Sequence, residues 1–116
     1  MSSLYDKYGG KANIKLVVAN FYKRLQNSPT IQPFFTGINV EELISFQVEY
    51  FTQLMGGPQV DLSKYGNPPP RLPIKDENFM EVAELLEDTL IESKIEGEDI
   101  EIILGLVASS RTEEHS

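Results

Sequence analysis

The sequence predicts an all-α domain with four main helices, and three observations carry that expectation. Apolar residues recur at helical spacing in four separate segments. Strong stops lie between them: Gly9-Gly10, Ser28-Pro29, Gly56-Gly57-Pro58 and Gly97. No stretch alternates apolar and polar residues long enough to read as a strand.

Ser3 to Tyr8 predicts one or two helical turns, stopped by Gly9-Gly10. From Lys11 to Gln26, Ile14, Val17, Val18, Phe21, Tyr22 and Leu25 fall at offsets 0, 3, 4, 7, 8 and 11 of one helix face. Pro29 ends that helix, because the residue before a proline is pushed out of the helical region. A short turn follows with Ile31, Pro33, Phe34 and Phe35, closed by Gly37. Asn39 is placed to cap a helix from Val40 to Met55, with Val40, Leu43, Ile44, Gln47, Phe51 and Leu54 on its inner face. Five of the seven prolines lie in 58–73, and Pro68-Pro69-Pro70 predicts an extended, rigid connector with little regular helix. Leu62, Leu72 and Ile74 are expected to turn inward from it. Asp76 opens a helix with Phe79, Val82, Ala83, Leu85, Leu86 and Leu90 on one face. A last helix follows Gly97, with Ile100, Ile103, Leu104 and Val107 at helical spacing. The chain reads as one domain, 1–116, with 109–116 expected to fray because it has no apolar residue.

Composition narrows the function. At 116 residues with 41% hydrophobic content, the chain can bury a core without staples. There is no cysteine, which excludes disulfides, thiol catalysis and thiolate-held clusters. The one histidine is His115, which excludes a multi-histidine metal site and an internal catalytic triad. The net charge of −8 disfavours nucleic acid and anionic membrane surfaces. No apolar run is long enough for a membrane span, and a cytoplasmic location is expected. Residues 76–101 carry eleven acids and one lysine, read as a solvated face on two helices. The carboxylates avoid the apolar faces, so side-chain acid–base catalysis is not expected and the chain reads as a binding protein, not an enzyme.

Gln47 is the most informative internal residue, since it sits in the middle of an apolar face. A buried amide needs hydrogen-bond partners or costs a few kcal/mol. On spacing alone it reads either as an edge residue facing solvent or as an amide bonded to nearby backbone. Tyr22, next to Phe21, reads as a core tyrosine with its hydroxyl near water.

The order of features resembles the truncated haemoglobins, the short 2-on-2 globins. Ser3-Leu4-Tyr5-Asp6-Lys7-Tyr8-Gly9-Gly10 is similar to their opening. Phe21-Tyr22-Lys23-Arg24-Leu25 resembles their second helix, Pro33-Phe34-Phe35-Thr36-Gly37 their Pro-Phe-Phe-x-Gly signature, and Phe51 to Pro58 the helix that closes in Gly-Gly-Pro. The resemblance implies a truncated globin-like fold and a distal ligand pocket at Tyr22, Leu43, Gln47 and Phe35. Phe21, Phe46, Phe51 and Phe79 are candidates to line it.

The chain departs from the family in the segment Gln59 to Ile74, where the proximal haem ligand belongs and no histidine occurs. By one variant of the family pattern its place maps to about Pro69, which has no donor atom; by another, in which Tyr-Gly-x-Pro like Tyr65-Gly66-Asn67-Pro68 precedes the histidine, the stretch that carries it is deleted here. Lys64, Tyr65 and Met80 lie in or near the segment but read more simply as a surface lysine, an amphipathic turn residue and a core filler. His115 reads as a solvent-exposed tail residue. The expectation is therefore a haem-free globin with no cofactor and no metal. Such a module binds an unknown protein or a small apolar ligand. The other reading is a haem globin for oxygen or nitric oxide with a non-histidine or missing axial ligand.

Overall fold

The computed structural model describes residues 3–66 and 70–115, with side chains through Ser109. Five α-helices follow in order: α1 (Leu4–Lys7), α2 (Gly10–Asn27), α3 (Val40–Leu54), α4 (Phe79–Glu92) and α5 (Gly97–His115). Short 3₁₀ turns lie at Gln32–Phe35, Leu62–Tyr65 and Asp76–Asn78, and the described residues contain no strand. The four long helices are the four expected, and α1 is the short N-terminal turn.

Each helix end has a local cause. Asn39 accepts a hydrogen bond from the Glu42 N–H at 3.1 Å, as its cap position predicts. Ser28 is extended ahead of Pro29 and closes α2. Gly57 is required by space: a Cβ there would lie 2.5 Å from Tyr5 and 2.8 Å from Thr52. The Tyr5 N–H bonds to the Met55 carbonyl at 2.9 Å, which brings α1 onto the end of α3.

The α4–α5 turn differs from expectation. Gly97 is the first residue of α5, and the left-handed position is Lys94, with φ of 64°. The Ile95 N–H reaches the Leu90 carbonyl at 3.1 Å and the Lys94 N–H reaches Ile91 at 3.0 Å, a Schellman closure. Ile95 is buried beside Leu90, so the apolar contact of that motif outweighs the cost of a lysine at positive φ. The backbone stays helical to His115, and no glycine or proline after Gly105 interrupts it.

The core joins all the long helices. α2 packs on α3 on one side and on α4 on the other, and α5 packs on α4. Val18, Leu25, Ile31, Leu43, Leu86 and Ile103 form its most deeply buried apolar part. Burying each such side chain contributes roughly 1.5–3 kcal/mol. Pro68 and Pro69 of the connector lie outside the described residues. Asp61 caps one 3₁₀ turn through the Ser63 N–H at 3.0 Å, and residues 70–75 form no regular helix or strand, with the Ile74 N–H turning back to the Leu72 carbonyl at 2.8 Å. Leu72 packs against the core from this segment.

Candidate functional site

A cleft of about 290 Å³ opens between the α2–α3 pair and the α4–α5 pair. Four walls form it. Phe21 and Tyr22 come from α2, and Gln47, Tyr50 and Phe51 from α3. The extended segment supplies Arg71, Leu72, Pro73 and Ile74. Phe79, Val82, Ala83 and Leu86 of α4 and Leu104, Val107 and Ala108 of α5 complete it. Helical periodicity explains the contributions of α2, α4 and α5: each turns one apolar stripe toward the cleft. The four connector residues reach it because an extended chain runs past the opening.

Polar groups on this lining are few. Tyr22 is 5% exposed, and burial alone pushes its phenol well above the usual value. Its ring is held edge-on by Phe21 at 5.4 Å and by Phe35 at 6.3 Å between centroids. Among the described residues its hydroxyl makes no side-chain hydrogen bond, and its oxygen is not sealed off, since the one fully buried side-chain atom without a partner there is Arg24 Nε. Gln47 is half-buried on the same cleft, and none of the side-chain hydrogen bonds among the described residues involves its amide. Two polar side chains without protein partners therefore border one cleft, where water or a guest can meet them. Arg71 is exposed on the lining and is the one permanently charged side chain there.

The candidate residues separate into two groups. Tyr22, Gln47, Phe21, Phe51 and Phe79 share the cleft. Leu43, Phe35 and Phe46 are not among its lining residues. Leu43 is 0% exposed in the core, and Phe35 stands behind Tyr22. Phe46 stacks on Tyr50 at 6.0 Å and meets Tyr65 edge-on at 5.4 Å. Pro69, the mapped place of the proximal ligand, lies outside the described residues.

Three alternative donors are also placed. Lys64 is exposed, Tyr65 is half-buried against Phe46, and neither lines the cleft. Met80 is 71% exposed, which corrects its reading as a core filler. It sits on the far side of α4 from Val82, Ala83 and Leu86. Sequence reasoning missed Arg71, Leu104, Val107 and Ala108 as cleft residues. α5's periodicity was visible, but nothing local says which cavity its stripe faces.

Whether these residues fit a flat macrocycle can be judged directly. The walls fit: they are aromatic and aliphatic, with polar atoms confined to Tyr22, Gln47, Tyr50 and Arg71. The donor set is not imidazole-based, because the single histidine of the chain is His115. Among the described residues no group of three or more histidines and acids is arranged to hold a metal ion.

A two-plus-two helical packing around a largely apolar cleft defines a globin-type fold. A sequence profile of the bacterial-like globins matches residues 3–116, and the chain belongs to that family, as one of its truncated 2-on-2 haemoglobins. It is 33% identical to a group 1 truncated hemoglobin of Mycolicibacterium paratuberculosis, over 92% of this chain and 79% of that one. The fold matches the Fe(III) form of Tetrahymena pyriformis truncated hemoglobin with a TM-score of 0.80 at 22% identity, covering 96% of both chains. It also matches the 2/2 hemoglobin of Synechococcus, a protein solved with covalently attached heme. That match has a TM-score of 0.75 at 24% identity, over 92% of this chain and 91% of that one. These relatives correct the expectation that no cofactor is bound: the chain's family and its solved neighbours are haemoglobins.

Proposed function

We propose that this chain is a haem-binding globin that takes up a small diatomic gas, such as oxygen or nitric oxide. The macrocycle would lie in the cleft between α2–α3 and α4–α5. The observation that carries the reading is the pair Tyr22 and Gln47, two polar side chains without protein partners on a largely aromatic and aliphatic lining. Membership of the truncated haemoglobins supports it.

When bound, haem supplies an iron that takes the gas; the rest is done by the chain. Phe21, Phe51, Phe79 and Leu86 exclude water and give a flat apolar guest its contact surface. The Tyr22 O–H and the Gln47 amide N–H are donors without a competing acceptor, so they are free to stabilise a polar guest. Phe21 and Phe35 fix the tyrosine ring in place, which removes the entropy cost of orienting it on binding. Exposed Arg71 can meet an anionic edge of the guest in solvent. No carboxylate lines the cleft among the described residues, which favours binding over side-chain acid–base turnover.

Titration with ferric haem tests this. The expected result is a stoichiometric, intensely coloured complex whose reduced form changes spectrum with carbon monoxide, oxygen or nitric oxide. Tyr22→Phe and Gln47→Leu should each speed gas release roughly 5- to 10-fold, the value of one hydrogen bond. Unsaturable haem uptake, with no gas-dependent spectrum, would overturn the reading.

A further inference from the structure

We infer that a second site, for a small organic carboxylate, lies in the groove between α2 and α3, on a different face of α3 from the cleft. Lys15 supplies its positive charge, the Ser45 and Tyr65 hydroxyls its donors, and Ile44 and Val48 its apolar floor. The site does not depend on the haem-binding reading.

The groove has a volume of about 370 Å³, which is room for a small molecule. Its α3 wall shares no residue with the cleft, where α3 contributes Gln47, Tyr50 and Phe51. Ile44 and Val48 lie one turn apart on α3, as do Ser45 and Glu49. An apolar row and a polar row therefore run side by side along the groove. Lys11 and Lys15, also one turn apart, face them from α2, and Tyr65 closes the end.

Charge decides the class of guest. Glu49 is 9% exposed, and its carboxylate is already neutralised by an ion pair with Lys11. Lys15 is exposed, and none of the ion pairs or side-chain hydrogen bonds among the described residues involves it. The groove thus keeps a net positive charge in a chain whose net charge is −8. Lys64, 5.3 Å from the centre of the Tyr65 ring, adds to it at the closed end. By itself that charge is poorly placed. Lys11 and Lys15 are like charges four residues apart on one helix. They also stand near the positive end of α2, whose first turn has no acidic residue and whose cap, Gly9, makes no side-chain hydrogen bond. An anion at Lys15 offsets both effects. The Ser45 and Tyr65 hydroxyls make no side-chain hydrogen bond among the described residues, so both are free to donate to carboxylate oxygens. The apolar row beside these donors favours an anion with an apolar body over a bare inorganic one.

Three probes separate charge from apolar contact: benzoate, its neutral amide benzamide, and inorganic phosphate. Each is titrated into the isotope-labelled full chain, and backbone amide shifts are followed residue by residue. The expected result is saturable benzoate binding with shifts centred on Lys15, Ser45 and Tyr65. Benzamide and phosphate should each bind at least roughly 5-fold more weakly, since each lacks one half of the match. Lys15→Gln should weaken benzoate by about 5-fold and leave benzamide unchanged. Lys15 is exposed, so that variant keeps the fold, which its unshifted amide spectrum away from the groove confirms. Tyr65→Phe should weaken benzoate roughly 2- to 5-fold through the lost donor. Benzamide binding as tightly as benzoate would reduce the groove to an apolar dent, and phosphate binding as tightly would reduce it to a patch of charge. Either result overturns the proposal, as does a Lys15→Gln variant that binds benzoate like the wild type. Shifts centred on Tyr22, Gln47 and Arg71 instead would place benzoate in the cleft and overturn the second site.

Discussion

Two ends of the molecule treat their polar groups in opposite ways. Where α1 meets α5, Asp99 is 8% exposed and fully engaged. It accepts a hydrogen bond from the Tyr8 hydroxyl and an ion pair from Lys7 at 2.7 Å. Lys7 also reaches Glu96 at 3.0 Å, and the Tyr8 oxygen accepts from the Glu96 N–H at 3.1 Å. Where α2 and α3 face the connector, the Tyr22 hydroxyl and the Gln47 amide meet no protein partner. The first end joins residues some 90 positions apart in sequence and stabilises the fold. The second keeps its donors free, so the fold gains nothing from them and a guest gains what they offer. Arg24 stands between these cases: its Nε is buried without a partner, but its Nη2 is tied to Glu92.

The largest effect separates core from cleft. Leu43 resembles a pocket neighbour by sequence yet is 0% exposed and absent from the cleft lining. Leu43→Ala should lower unfolding stability by roughly 2–5 kcal/mol, since it leaves a cavity in packed surroundings. Val82→Ala, on the cleft wall, should cost less, because one side of that residue already faces open space. Chemical denaturation of both variants checks this. Equal losses would mean that the cleft wall is packed like the core.

How far the sequence makes these ends legible follows from the range of the interactions. Helix stripes, the Asn39 cap and the Pro29 stop are local, and the structure has them where periodicity and steric rules put them. Gln47 stood out because an amide interrupts an apolar face. Leu72 and Ile74 are expected to turn inward as the apolar members of the connector, but Arg71 gave no signal, since a charged residue without a helical period does not say which side it faces. The network at Asp99 was hidden altogether: its acid looked like one of eleven on a solvated run, and Lys7 and Tyr8 lie at the other terminus. Met80 was misread because apolar character alone does not fix which face of α4 it occupies.

Removing the engaged end should have the next largest effect, with a pH signature. Hydrogen bonds from Lys7 and then Tyr8 hold the Asp99 carboxyl below its ordinary range. The stability it contributes is therefore complete above the unfolded value near 3.8. It drains away as pH falls through the lower folded value. Lys7 is shifted the other way, upward, chiefly by its hydrogen bond to Asp99, so its share persists until the solution is strongly alkaline. Asp99→Asn should lower the melting temperature at neutral pH and flatten the acid limb below pH 4. Tyr8→Phe should cost roughly 1.5–3 kcal/mol, the range for hydrogen bonds to charged groups. Melting curves between pH 2 and 8 check both. An acid limb unchanged in Asp99→Asn would place the sensitivity on other carboxylates.

The smallest effect is expected at the free end, and its smallness is the point. Tyr22→Phe removes a hydroxyl that bonds to no described residue, so no protein hydrogen bond is lost. Gln47→Leu exchanges a half-buried, partnerless amide for an apolar side chain of similar length on an apolar lining. Neither change leaves a stranded partner behind, and that stranding is what makes most buried polar substitutions costly. In the protein without haem, both should shift stability by less than about 1 kcal/mol, and Gln47→Leu should shift it upward. Paired melts of Tyr22→Phe and Tyr8→Phe give the cleanest reading, because the same atom is deleted at a buried tyrosine and at a half-buried one. If Tyr22→Phe destabilises as much as Tyr8→Phe, then the hydroxyl has a structural partner and the cleft is not held open for a guest. If only Tyr8→Phe destabilises, then the Tyr22 hydroxyl contributes to binding and not to folding. Adding haem should then reverse the ranking: Tyr22→Phe loses part of the ligand-induced rise in melting temperature, while Tyr8→Phe keeps all of it.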